Sequence, residues 1–90
     1  MKTFRWDPEK DEKLQRERGV TFEEVLYHIE QGHVIDIVEH PNQESYPGQQ
    51  IYIIRMRGYV YLVPFVETDD VVFLKTIIPS RKAEREYRHG

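Results

Sequence analysis

The sequence predicts an α+β domain in which two N-terminal helices precede an antiparallel sheet and a short basic helix closes the chain. Three observations carry this expectation. Two capped helical segments stand back to back before residue 33, joined by Gly19-Val20-Thr21. Apolar segments of strand length and composition then run from His33 to Ile78, with turn residues between them. After Pro79 the chain becomes polar again, with Arg81, Arg85 and Arg88 on one face at helical spacing.

Each element has a local reason. Phe4 and Trp6 share one side of a short extended segment, Thr3–Trp6. Asp7 is a natural N-cap and Pro8 costs nothing at the first helical position, where an N–H would have no partner. The helix through Arg18 is polar nearly all round, with Leu14 its only large apolar residue, and Gly19 suits a left-handed C-terminal cap. Glu9/Lys13 and Glu12/Arg16 are favourable pairs four residues apart. Thr21 and Glu24 form a capping box, and Val20 can staple onto Val25. Phe22, Val25, Leu26 and Ile29 make one apolar stripe, and Gly32 ends the second helix.

Strands are expected over His33–Val38, Ile51–Arg57, Tyr59–Val66 and Val71–Ile78. Arg57-Gly58 makes a tight hairpin turn, and the short turns give an antiparallel meander. Pro64 lacks a ladder donor, so it marks a bulge or an outward-facing position. Ser80 is the N-cap of the last helix, and Ala83 and Tyr87 can dock it on the sheet.

Length and composition bound the function. Ninety residues suffice for one small domain, 1–90, and 32% of them are charged. The absence of cysteine removes disulfides, thiolate nucleophiles and cysteine zinc sites. The longest apolar run, Tyr59–Val66, is too short for a membrane helix, and the opening stretch has no secretory apolar segment, so a cytoplasmic protein is expected. The formal charge is −3, unevenly spread: residues 1–18 sum to +1, 19–74 to −7 and 75–90 to +3.

The basic C-terminal end is the strongest site candidate. Lys75 is predicted near the middle of a strand, between Leu74 and Ile77, where an ammonium group is costly. Arg81, Lys82 and Arg85 open a helix, against the macrodipole, and such broken rules concentrate at functional sites. Together with the helix's free N–H groups they suit an anion. Lys10, Lys13, Arg16 and Arg18 make a salt-bridged exposed face that matters to function only if the fold sets it beside the C-terminal cluster. Tyr87 and Tyr46 are the aromatics not assigned to packing. The histidines are His28, His33, His40 and His89; none pairs at helical metal spacing, so no metal or other cofactor is expected, and His28 reads as a surface or packed residue rather than a general base.

Phe4-x-Trp6-Asp7-Pro8-x-Lys10, then Arg16-x-Arg18-Gly19-Val20-x-Phe22-Glu23-Glu24, then Ser80-Arg81-Lys82-Ala83-x-Arg85-x-x-Arg88 resembles the BrnT family of bacterial toxins over nearly the whole chain. Two positions depart from the family's pattern: Arg18 stands where His is common, and Ile78-Pro79-Ser80-Arg81-Lys82 where Ile-Ser-Ala-Arg-Lys is more usual. The resemblance implies a RelE-like fold and a ribonuclease toxin, encoded next to a DNA-binding antitoxin that neutralises it, assembled as a homodimer or as a hetero-oligomer with that antitoxin. On that expectation Arg81 and Arg85 clamp a phosphate, Lys82 or Lys75 transfers protons, and Lys13, Arg16, Arg18, Arg88 and Tyr87 contact RNA. The rival reading is a non-enzymatic interaction module on the same scaffold. A DNA-binding regulator is weaker, since the basic helix lacks a helix-turn-helix companion.

Overall fold

The computed structural model describes residues 2–88, so His89 lies outside the described residues. Its elements are β1 (Thr3–Arg5), α1 (Pro8–Arg18), α2 (Phe22–Glu30), β2 (Val34–Glu39), β3 (Gln50–Met56), β4 (Tyr59–Glu67), β5 (Val71–Leu74), β6 (Ile78–Pro79) and α3 (Arg81–Glu86). The expected α+β class and order of elements are present. The four strands β2 to β5 form the antiparallel meander, in spatial order β5-β4-β3-β2. β1 adds to the β5 edge in parallel, so the sheet is mixed, and β6 pairs with β4.

The helix ends follow from their caps. Asp7 accepts the Glu9 N–H, and Gly19 closes α1 at φ +69°, a left-handed conformation that disfavours any side chain. Thr21 accepts the Glu24 N–H at 3.2 Å, which is half of the expected capping box. The other half is absent because the Glu24 carboxylate bonds Arg57 Nε at 2.7 Å instead. Val20 and Val25 are fully buried in one cluster, where the staple places them.

The sheet is covered on both faces, in line with its alternation. Tyr52, Ile54 and Met56 of β3 and Val63 and Phe65 of β4 pack with Leu14, Phe22 and Val25 of the two N-terminal helices. Burying a side chain such as Phe22 contributes about 1.5–3 kcal/mol, which is why α2 with its apolar stripe holds the otherwise polar α1 in place. Trp6 stacks on Phe22 at 5.7 Å and ties the β1 exit to the same core. The opposite face is smaller: Ile53 and Val60 meet Ala83 of α3, with Ile35, Val38, Leu62 and Tyr87 around them.

One predicted strand is broken. Val71–Ile78 is interrupted after Leu74, and Pro64 explains the place. The Lys75 N–H donates to the Pro64 carbonyl at 2.8 Å, but proline has no N–H with which to return the second bond of that pair. The register slips there by one residue, from Phe65 opposite Leu74 to Leu62 opposite Ile78, which is the bulge that Pro64 foretells. Lys75 is therefore past the end of β5 and exposed, not within a strand, and its charge costs no desolvation. Its Nζ lies 5.4 Å from the centre of the Phe73 ring.

Candidate functional site

α3 is placed by three local interactions. The Ser80 hydroxyl accepts the Ala83 N–H, and the Ser80 N–H donates to the Val60 carbonyl at 3.1 Å. Arg55 Nη2 donates to the Tyr87 carbonyl at 2.7 Å. With Ala83 buried against the sheet, the opposite side of the helix turns outward, and Arg81, Arg85 and Arg88 line one concavity of about 330 Å³ with Tyr59 and Glu84. α3 has only six residues, so the anion-binding character here belongs to the guanidinium groups rather than to the helix end.

Glu84 does not neutralise this cluster. Its Oε2 is turned inward, 3.5 Å from Arg55 Nη1 and without a hydrogen bond. Among the described residues, no carboxylate lies within ion-pair distance of Arg81, Arg85 or Arg88. Guanidinium groups left without partners in a shared hollow suit phosphate oxygens, which they meet in a planar, two-pronged geometry.

The other predicted site residues are elsewhere. Lys75 lines a separate hollow with His40, Tyr46 and Thr76. Lys82 borders the apolar groove of Val38, Ile51 and Leu62 on another side of α3. Neither lysine lines the arginine hollow. Lys13 and Arg16 line a hollow on α1, with Asp7, Lys10 and Glu12, and Arg16 is paired with Glu12 at 2.8 Å. α1 packs on the face of the sheet opposite α3, so the condition that would have joined its cations to the site is not met. Arg18 donates from Nη1 to the Ile77 carbonyl at 2.7 Å and acts as a strut between α1 and the segment before β6. The Tyr87 hydroxyl donates to Asp36 Oδ2 at 3.3 Å; desolvation, and then the nearby carboxylate, push its phenol up from the ordinary value.

A second hollow, with charged and apolar lining, adjoins the arginines. His28, His33, Arg55 and Arg57 line about 560 Å³ at the hairpin end of the sheet, with Gly32, Val34, Ile35 and Gly58. His28 Nδ1 and His33 Nδ1 lie 2.7 Å apart, a hydrogen bond in which one ring donates and the other accepts. Backbone geometry brings them together: the His33 N–H bonds the His28 carbonyl at 2.9 Å and the Gly32 N–H bonds that of Ile29 at 3.2 Å, with Gly32 at φ +77°. This is the Schellman motif, which sets the residue after the glycine against the one five positions earlier. The two hollows share a wall, since Arg55 lines one and its guanidinium contacts Glu84 of the other, while the adjacent Gly58 and Tyr59 line one each.

No family model and no curated protein matches this chain.

The histidine pair was the part of this region that spacing alone did not bring out. A five-residue separation fits no helical face, but His-x-x-x-Gly-His across a helix end is the pattern by which a Schellman motif sets two side chains together. Arg57 carries a second signal. It sits at φ +57° as the first residue of the hairpin turn, where glycine, asparagine or aspartate is usual. Among the described residues, no third histidine or carboxylate joins His28 and His33 to form a metal-ligating group.

Proposed function

We propose that this protein is a BrnT-like toxin, an endoribonuclease that grips the RNA backbone with Arg81, Arg85 and Arg88. The single observation that supports this reading is the gathering of three arginines, unpaired among the described residues, in one hollow on an otherwise acidic protein. The chemistry is attack of a ribose 2′-hydroxyl on the adjacent phosphate, which needs no metal when cations offset the charge that develops on the phosphoryl oxygens. The toxin acts in the cytoplasm and is neutralised by an antitoxin encoded beside it. A cluster this basic on a chain of net charge −3 suits capture of a polyanion by a local site rather than by the whole surface.

Arg81→Ala and Arg85→Ala should each lower RNA cleavage by on the order of 10²–10³ and relieve growth arrest in cells that express the protein. Full cleavage and full toxicity in both variants would sink the reading. A second reading, an interaction module without activity, is favoured by a different observation. β2 is an edge strand with Ile37 half exposed, and an apolar groove of about 220 Å³ lined by Val38, Ile51, Ile53 and Leu62 runs beside it. RNA left intact by nuclease-free protein, together with tight binding of the neighbouring gene's product, would select it.

A further inference from the structure

The geometry points to His28 and His33 as the proton-transfer pair of the RNA-cleaving site, with Arg57 and Arg55 as the charges that face them. The inference rests on the nuclease reading and supplies what the arginine cluster cannot, since a guanidinium does not give up its proton at neutral pH.

Cleavage by a 2′-hydroxyl needs a base with a free lone pair and an acid with a proton to give in the same site. Two imidazoles joined through their Nδ1 atoms can hold both states at once. The ring that donates from Nδ1 has a free lone pair on Nε2 and can act as the base; the ring that accepts at Nδ1 carries its proton on Nε2 and can act as the acid. An added proton fills that free Nε2 lone pair and removes the base. The Nε2 atoms make no hydrogen bond among the described residues, and His33 is exposed while His28 is half buried, so substrate can reach the pair. The other charged groups lining the hollow are Arg55 and Arg57; Tyr27 meets the His28 ring edge-on at 5.4 Å.

In the usual Schellman motif the residues at these two positions make an apolar contact. Here the contact is polar and partly open to solvent, which does little for stability, and it faces a guanidinium on a residue held at φ +57°. Both are local rules broken at one place. The wall shared with the Arg81/Arg85/Arg88 hollow lets one RNA strand occupy both, with a neighbouring phosphate in the arginine clamp.

The step balances without an outside reagent. A new bond forms from O2′ to phosphorus as the free Nε2 of the donor ring takes the hydroxyl proton and the shared Nδ1 proton passes to the acceptor ring. The phosphorus–O5′ bond breaks as the acceptor ring, which has gained the shared proton, delivers its Nε2 proton to O5′. The products are a 2′,3′-cyclic phosphate and a 5′-hydroxyl, and the pair ends with as many protons as it began, on exchanged rings.

The test uses the full-length protein and an end-labelled RNA, free and on translating ribosomes, with His28→Gln, His33→Gln and the double variant. The parent should give cyclic-phosphate termini and a kcat/KM that falls on acidification, as the free Nε2 is protonated, and levels off at higher pH. Each single variant should cut cleavage by about 10²–10⁴, with RNA binding by anisotropy within about twofold of the parent. Three outcomes overturn the inference while leaving the nuclease reading intact: a double variant within about threefold of the parent in rate, a loss explained wholly by weaker binding, or a flat pH profile of the parent, which needs no variant to fold. A parent inert on RNA in both settings overturns the nuclease reading and this inference with it.

Discussion

Arg57 sets two local effects against each other. Its left-handed backbone costs about 1–2 kcal/mol in a residue with a Cβ, whereas its solvent-screened ion pair with Glu24 returns less than that. The hydrogen bond to Glu24, more than its charge, holds the guanidinium pKa above its ordinary value. Arg57→Gly removes both the cost and the pair, and adds unfolded-chain entropy of about 0.4–1 kcal/mol. These nearly cancel, so the variant's Tm should lie within about 4 °C of the parent while RNA cleavage falls on the order of 10². A fall in Tm beyond about 8 °C, measured by thermal unfolding, would make Arg57 a strut of the fold rather than a group kept for its chemistry. The hairpin turn itself was legible as Arg57-Gly58. The significance of an arginine there was not, because the conflict between side chain and φ is visible only once the turn type is known.

Ser80 has the corresponding role for a whole element. α3 is too short to be stable alone and is held by its cap, by Ala83 against Ile53 and Val60, and by the Arg55 bond to its last turn. Ser80→Ala should cost about 1 kcal/mol, speed amide exchange in α3 selectively, and weaken RNA binding by loosening all three arginines together. Uniform exchange across the molecule would show that α3 melts only with the rest. Elements of this kind were legible because their determinants are local: Asp7-Pro8, Gly19, Thr21 and Ser80 act within a turn of where they stand. What eluded the sequence is non-local. The parallel pairing of β1 with β5 joins residues 3–5 to 71–73, and the break after Leu74 depends on a proline ten residues earlier on the neighbouring strand. Glu24 left its capping box for an arginine 33 positions away. The site divides in the same way: the Arg81, Arg85 and Arg88 face follows from helical spacing, whereas the exclusion of Lys75 and Lys82 and the meeting of His28 with His33 follow from tertiary geometry.

Across the whole molecule, the separation of cations between the two faces of the sheet makes a quantitative claim about RNA binding. Lys13 and Arg16 lie on the α1 side and Arg81, Arg85 and Arg88 on the α3 side, so one strand cannot lie against both groups without bending round the sheet. Each phosphate neutralised on single-stranded RNA releases about 0.7 of a counterion. Three contacts in the arginine hollow should therefore give a slope of log K against log salt of about −2, whereas recruitment of Lys13 and Arg16 as well would bring it to about −3.5. Arg85→Ala should flatten the slope by about 0.7, and Lys13→Ala should leave it unchanged. The acidic middle of the chain works in the same direction, repelling a polyanion from most of the surface and favouring the hollow whose arginines have no carboxylate partner among the described residues, with the histidine hollow beside it. A steep slope that Lys13→Ala reduces as much as Arg85→Ala would mean that RNA wraps both faces. The binding site would then have to be redrawn around the edge of the sheet.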